Sequence, residues 1–308
     1  MHTIDDLLTI RDFLRWSVSR FHEAGLCFGH GTESAWDDAV ALILHTLFLP
    51  HDIGQQVLDA RLTAAERKQL LALIERRINE RIPVPYLTHE AWFAGLPFYV
   101  DERVLIPRSP LAELIENQFA PWIETHVVHH ILDLCTGSGC IAIACAKIFP
   151  DSNVDACDIS TDALAVAKIN TVRHEVSDQV LLLQSDLFAE LPPKKYDVIL
   201  SNPPYVDAAE MAALPAEYLH EPVLGLAAGK DGLDTVLRIL QNASAYLAPH
   251  GLLIVEVGNS EHALSERFPE VPFTWLDFSE GGGGVFLLTA EQLHDHQQAF
   301  RQDRAHAR

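Results

Sequence analysis

The sequence predicts an α/β protein in which a small all-helical N-terminal domain is joined by a β-hairpin to a seven-stranded, Rossmann-like sheet. Apolar residues recur at helical spacing through the first part of the chain, and from Ile131 onward short strands alternate with helices. The last two strands are separated only by residues 279–284, too few for a crossover helix. These two strands are therefore predicted to pair as an antiparallel hairpin at the edge of an otherwise parallel sheet.

The first part of the chain is predicted to be helical. Residues 5–81 carry apolar side chains at i, i+3 and i+4, and the last helix opens with a capping box formed by Thr63 and Glu66. We expect residues 1–85 to form a helical domain with a role in substrate recognition.

A hairpin linker is predicted for residues 86–108, with Gly95 near its turn and a helix starting at Ser109 or Pro110. The α/β domain is assigned to residues 109–290. Residues 291–308, rich in Gln, His and Arg, are expected to form a frayed, flexible tail.

The α/β domain shows a regular alternation of strands and helices, which predicts helices on both faces of the sheet. The predicted strands are residues 131–134, 154–158, 180–183, 198–200, 252–257, 274–278 and 285–288. The predicted helices are residues 141–149, 162–174 and 233–247.

Composition limits the class of protein. The 308 residues are 48% hydrophobic and 21% charged, as in ordinary globular proteins. No apolar stretch reaches membrane-spanning length and the first residues lack a signal-peptide pattern, so a cytoplasmic protein without a membrane partner is expected. The net charge of −21 opposes attraction to nucleic-acid phosphates and favours a basic partner.

No metal site is expected. The five cysteines include no Cys-x-x-Cys pair, and they lie mostly in apolar surroundings typical of reduced core residues. His126, His129 and His130 form the densest histidine group, but no Cys or carboxylate stands at ligand spacing from them.

A cofactor loop is predicted after the first strand, in the segment Asp133-Leu-Cys-Thr-Gly137-Ser-Gly139. Its glycines let a ligand approach the backbone, and Asp158, at the end of the second strand, is placed to accept ribose hydroxyls. Nicotinamide and S-adenosyl ligands share that ribose. After the third strand, Asp186 and Leu187 offer a carboxylate for an adenine amino group and an apolar contact for its ring.

The tetrapeptide Asn202-Pro203-Pro204-Tyr205 follows the fourth strand, which its two prolines stop. The Asn202 side chain and the Pro203 backbone each offer a carbonyl oxygen, and Tyr205 offers a flat ring. This set predicts a receptor for a planar NH2 group, for which hydride transfer has no use. As separate features, the tetrapeptide is also compatible with a simple turn, and the two aspartates with helix caps.

With these motifs, the chain resembles the PrmB and PrmC group of N5-glutamine methyltransferases, whose class I fold has the same seven-stranded arrangement. The resemblance extends to about Thr289 and includes residues 79–87 and 101–108 and the dipeptide Glu221-Pro222. Ser109-Pro110 after Ile-Pro-Arg, together with residues 15–21 and 29–32, resembles the PrmB type.

The resemblance implies N5-methylation of a glutamine side chain in large-subunit ribosomal protein 3, a basic protein met free or in an assembly intermediate. It implies S-adenosyl-L-methionine as cofactor. The residues expected to bind it are Cys135, Thr136, Gly137, Ser138, Gly139, Asp158, Asp186, Leu187 and Asn202. Those expected to act in catalysis are Asn202, Pro203, Pro204 and Tyr205.

Three alternatives remain open on the sequence: a release-factor glutamine methyltransferase, an adenine-N6 methyltransferase acting on nucleic acid, and a silent cofactor-binding scaffold for ribosome assembly. The acidic composition disfavours a direct nucleic-acid substrate. The intact tetrapeptide disfavours a silent scaffold.

Overall fold

The structure is a computed structural model of the chain, and it describes residues 6–279 and 281–303. Within these residues the chain divides into two compact units. The first covers residues 6–91, 100–102 and 215–220, and the second covers residues 92–99, 103–214 and 221–303. None of the helices in the described ranges is long and apolar enough to cross a membrane.

The first unit is helical, as predicted. Its helices are α1 (Ile10–Glu23), α2 (Ala35–Thr46), α3 (Ala64–Asn79) and α4 (Val84–Thr88). The predicted capping box of Thr63 and Glu66 starts α3. Phe13, Phe21 and Leu42 are among the fully buried apolar residues that close the core of this unit.

A buried ion pair lies within the helical unit. The Arg77 Nε donates to Asp38 Oδ2 at 2.9 Å, and both side chains are almost completely buried. Glu217, from the separate segment Pro215–His220, is 2% exposed and accepts a hydrogen bond from the Cys27 N–H at 3.0 Å. This short segment is thus fixed to the helical unit by a buried acceptor.

The second unit starts with the hairpin β1 (Ala91–Phe93) and β2 (Leu96–Phe98), most of which belongs to it. Its other strands are β3 (His130–Leu134), β4 (Asn153–Asp158), β5 (Val180–Gln184), β6 (Tyr196–Ser201), β7 (Leu247–Glu256), β8 (Thr274–Trp275) and β9 (Val285–Thr289). Its helices are α5 (Leu111–Glu116), α6 (Cys140–Ile148), α7 (Thr161–Arg173), α8 (Ala208–Ala213), α9 (Asp234–Asn242), α10 (Glu261–Arg267), α11 (Ala290–Asp295) and α12 (Gln297–Asp303).

The predicted seven-stranded sheet is confirmed, in the order β5-β4-β3-β6-β7-β9-β8. Strands β3 to β7 pair in parallel, whereas β9 pairs antiparallel with both β7 and β8. The chain order reverses between β3 and β6, which is the switch point where open α/β sheets bind ligands.

Both faces of the sheet are covered. Alternate residues of a strand point to opposite faces, so Ile131 joins one apolar core and Leu132 joins the other. Phe149 and Ile143 pack on the first face, and Ile239 and Leu264 on the second. Burial on both sides explains why these strands are nearly continuous apolar runs.

Two expectations require correction. The helix predicted over residues 233–247 ends at Asn242, because Leu247 already pairs with Tyr196 as the first residue of β7. The expected frayed tail instead forms α11 and α12, in which Leu293 and Phe300 are buried. The mostly polar composition of this segment suggested a flexible tail, although its two buried apolar residues anchor the helices. Residues 304–308 of that predicted tail lie outside the described residues.

Candidate active site

The register of the sheet brings the predicted site residues to one edge. Leu134 at the end of β3 is aligned with both Cys157 of β4 and Ser201 of β6, and Asp158 is aligned with Gln184 of β5. The loops that follow these strands therefore start at the same height, as expected for carboxyl ends of parallel strands.

The loop between β3 and α6 turns sharply. Cys135 and Gly137 have φ values of 59° and 54°, and no atom of residues 6–279 or 281–303 lies within 4 Å of the position where a Cβ on Gly137 would stand. A ligand can therefore approach the Gly137 backbone closely. Gly139 allows the loop to pack closely against α7, since a Cβ added there would lie 3.2 Å from the Ala167 Cβ.

A cavity of about 210 Å³ lies at this edge, within the second unit. Nine predicted residues line it: Cys135, Thr136, Gly137, Ser138, Asp158, Asp186, Leu187, Asn202 and Pro204. Gly139, Pro203 and Tyr205 are outside the lining of this cavity. The structure thus brings most of the predicted cofactor residues around one space.

Asp158 lies between the glycine loop and α7. Its Oδ2 accepts a hydrogen bond from the Gly137 N–H at 2.9 Å, and its Oδ1 accepts one from the Ser160 N–H at 2.9 Å. Burial raises the pKa of the Asp158 carboxyl, and the backbone N–H groups oppose that rise. Each carboxylate oxygen still has a lone pair for a hydroxyl donor.

Asp133 is the penultimate residue of β3, just before this loop, and it is fully buried. Its Oδ2 accepts hydrogen bonds from the Thr136 hydroxyl and from the Ala142 N–H at 3.2 Å, which join β3 to α6. Its Oδ1 is buried without a hydrogen-bond partner among the described residues. Burial raises the pKa of this carboxyl to about 7.

Asp186 follows β5 and is 43% exposed. Its Oδ2 accepts a hydrogen bond from the Arg238 guanidinium at 2.8 Å, so a cation already neutralises part of its charge. Leu187 beside it is buried and has a φ of 55°. Arg238 and Thr235 of α9 also line the cavity, and no sequence motif indicated them.

Asn202 lies directly after β6, and its Oδ1 is buried without a hydrogen-bond partner among residues 6–279 and 281–303. A buried acceptor left unpaired costs about 1–3 kcal/mol unless a ligand satisfies it. Because Asn202 lines the cavity, the geometry suits a ligand N–H donor at this position.

Tyr205 is anchored next to the cavity. Its hydroxyl donates to Glu256 Oε1 at 2.9 Å, and its carbonyl accepts from the Ser260 hydroxyl at 3.0 Å. Sequence reasoning missed Glu256, although a carboxylate ending the apolar strand β7 beside the motif strand was a usable signal.

The loop of residues 103–109 forms another wall of the cavity. Arg108 in this loop pairs with Glu221, whose side chain is fully buried and also accepts the Ile106 N–H at 3.1 Å. Both segments are part of the family resemblance, but the sequence does not predict that they meet at this cavity.

Comparison with known proteins agrees with the family resemblance found in the sequence. The Methyltransferase small domain model matches residues 117–221. A ribosomal protein uL3 glutamine methyltransferase of Neisseria gonorrhoeae is 55% identical over 289 residues, covering 94% of this chain and 96% of its own. One of Francisella tularensis is 50% identical over 299 residues, covering 97% of this chain and 95% of its own.

Among solved structures, the catalytic domain of hMettl16, in complex with the MAT2A 3′UTR hairpin 6, superposes with a TM-score of 0.51 at 18% identity. The match covers 78% of this chain and 87% of that chain, and it supports the fold. The identity to the bacterial relatives extends over almost the whole length of both proteins. The chain therefore belongs to the family of ribosomal protein uL3 glutamine methyltransferases.

Proposed function

We propose that this protein transfers a methyl group from S-adenosyl-L-methionine to the side-chain amide nitrogen, N5, of a glutamine in ribosomal protein uL3. The relatives that are 50% and 55% identical carry uL3 in their names. The observation that carries the proposal is that Asn202, a residue lining the cavity, has a buried Oδ1 without a hydrogen-bond partner among the described residues.

The residues around the cavity fit this cofactor. The open backbone at Gly137 leaves room for the methionine part along residues 135–139, and the Asp158 carboxylate suits the ribose hydroxyls. Asp186 and Leu187 suit the adenine amino group and ring face. When bound, the cofactor supplies an electrophilic methyl group on a sulfonium.

A carboxamide nitrogen is a poor nucleophile, because its lone pair is delocalised into the carbonyl. The Asn202 Oδ1 would accept one amide hydrogen and the Pro203 carbonyl the other, while the Tyr205 ring packs on the amide plane. Holding both hydrogens orients the nitrogen lone pair, and the two carbonyl dipoles stabilise the positive charge that develops on it. The N–CH3 bond forms as the S–CH3 bond breaks, so that the neutral thioether is the leaving group. The positively charged amide nitrogen then loses one proton to water. The buried Pro203 and the ring of Pro204 keep this turn rigid.

The remaining assignments follow from the same reaction. We assign substrate recognition to the N-terminal residues 1–85, cofactor binding and catalysis to the α/β domain, and the reaction to the cytoplasm, where ribosomal proteins are assembled. The charge of −21 favours a basic protein substrate, free or in an assembly intermediate, over nucleic acid.

The test is to incubate the protein with isotope-labelled S-adenosylmethionine and three substrates: purified uL3, undermethylated large-subunit particles, and a release factor. Mass spectrometry then identifies the protein and atom that gain the label. Label on a glutamine N5 of uL3 supports the proposal. Label only on the release factor, or on adenine N6 of the ribosomal RNA, would replace it with one of the alternatives.

A further inference from the structure

A buried carboxyl group adjoins the Asn-Pro-Pro-Tyr segment. Glu256 is the last residue of β7, and the pairing of Val255 with Ser201 places it beside the residues that follow β6. It is only 5% exposed. Burying a carboxyl group costs free energy unless hydrogen-bond donors satisfy its oxygens. The donors that contact Glu256 therefore indicate its structural role.

Two hydroxyl groups converge on Glu256. Its Oε1 accepts from the Tyr205 hydroxyl at 2.9 Å, and its Oε2 accepts from the Ser109 hydroxyl at 2.5 Å. Ser109 is itself buried, lines the cavity and accepts the Leu111 N–H at 3.2 Å. The carboxyl group therefore connects the cavity wall before α5 to the tip of the tyrosine ring.

The Tyr205 ring is restrained at its other side as well. A Cβ added to Gly258 would stand 2.6 Å from the ring Cε2, so the ring lies directly against the Gly258 backbone. The Ser260 hydroxyl holds the Tyr205 carbonyl at 3.0 Å. The Glu256 hydrogen bond restrains the hydroxyl end of the ring, and with it the tilt of the ring plane.

We propose that Glu256 is a positioning residue for methyl transfer: by holding the Tyr205 hydroxyl, it sets the ring plane against which the substrate carboxamide is oriented. This inference rests on the proposed function, because it assigns a role within that reaction. Glu256 acts through the tyrosine, and it neither contacts the substrate nor accepts its proton. This role requires that the side chain at position 256 forms hydrogen bonds with both the Tyr205 hydroxyl and the Ser109 hydroxyl.

This role distinguishes two substitutions. Glu256→Ala removes both acceptors and releases the ring. Glu256→Gln keeps the shape, and its amide can accept from the Tyr205 hydroxyl while donating to the Ser109 hydroxyl oxygen, because hydroxyl groups both donate and accept. A positioning role therefore predicts that Gln restores what Ala loses, whereas a role in proton removal predicts that both variants fail.

The experiment measures kcat and KM for uL3 methylation, and the dissociation constant of S-adenosylmethionine, for the full-length wild type, E256A, E256Q, Y205F and the double variant E256A/Y205F. We expect E256A and Y205F each to lower kcat about 10-fold or more, because a misoriented reactant is penalised steeply. E256Q should stay within about 3-fold of wild type, and the double variant should be no worse than Y205F by more than about 2-fold. Cofactor affinity should change little in all four.

The wild type separates the two claims. If it methylates no glutamine in uL3, the proposed function itself fails. If it is active, the inference is overturned by E256A retaining wild-type kcat, by E256Q losing as much as E256A, or by losses that multiply in the double variant. Y205F removes a single hydroxyl and keeps the ring. If E256A does not fold, Y205F and E256Q provide the test. A wild-type kcat in Y205F overturns the inference. A loss of about 10-fold in the kcat of Y205F, without a similar loss in E256Q, supports it.

Discussion

The carboxylate of Glu221 accepts two hydrogen bonds from the guanidinium of Arg108, one to each oxygen, at 2.6 and 2.8 Å. The Glu221 side chain is fully buried, whereas that of Arg108 is 21% exposed on the cavity wall. This parallel geometry joins two segments that are far apart in the sequence, and it fixes the loop of residues 103–109 at the cavity.

Arg108→Met should therefore destabilise the protein by about 3 kcal/mol, because it leaves a buried carboxylate without its cation. Urea unfolding measures the change. Arg11→Met is the matched control, since its pair with Asp59 is exposed on both sides and should contribute little. Equal effects of the two substitutions would contradict the importance of burial.

Asn202→Ala should lower kcat at least about 100-fold, because it removes the acceptor that the proposed mechanism places at the reacting amide. Calorimetry should find cofactor affinity mostly intact. Asn153→Ala, at the opposite end of the sheet, serves as the control and should leave both quantities unchanged. A mutant of Asn202 with near wild-type activity would remove the tetrapeptide from the mechanism.

Gly258→Ala should reduce both stability and activity. Its φ is 47°, which costs a non-glycine residue about 1 kcal/mol, and the new methyl group would collide with the Tyr205 ring. Gly281→Ala also places a side chain at a positive φ, 87°, but no atom of the described residues lies within 4 Å of the added Cβ, so it should lose stability and keep kcat. Thermal unfolding and methylation assays on both variants decide whether displacement of the ring matters.

Asp133 should make stability depend on pH. Burial raises the pKa of its carboxyl to about 7, above the value of about 4 in an unfolded chain. The stabilisation from the bound proton is complete below about pH 4 and is lost as the pH rises to about 7, by roughly 1 kcal/mol per pH unit.

Asp133→Asn mimics the protonated form, since one amide oxygen can still accept from Thr136 and Ala142. Relative to this variant, the wild type should lose stability between about pH 4 and about pH 7 in urea unfolding experiments. Parallel stability curves for the two proteins would show that Asp133 does not titrate in this range.

The acidic surface predicts a salt effect on the encounter with substrate. With a charge of −21, kcat/KM for basic uL3 should fall as ionic strength rises from about 0.05 to about 0.3 M, while kcat at saturation stays constant. Steady-state kinetics over that range measures it. A kcat/KM independent of salt would mean that charge does not guide the two proteins together.

The sequence by itself determined the α/β class, the seven strands, the family and nine residues of the cavity wall. These follow from local signals: apolar periodicity, two prolines that end a strand, and glycines and carboxylates placed directly after strands. A strand's end is fixed by its own residues, and parallel pairing then brings such ends together. The family predicted from these motifs was confirmed by relatives at 50% and 55% identity.

Only the tertiary structure decided which distant groups meet. Tyr205 and Ser109 converge on Glu256, and Arg108 pairs with Glu221, because sheet register and loop packing bring together residues that no spacing rule connects. Burial of Phe300 likewise anchors α12, which the polar composition of this segment did not indicate. Such contacts form only when the sheet is assembled. Their energies depend on desolvation of the buried groups, which cannot be read from the sequence.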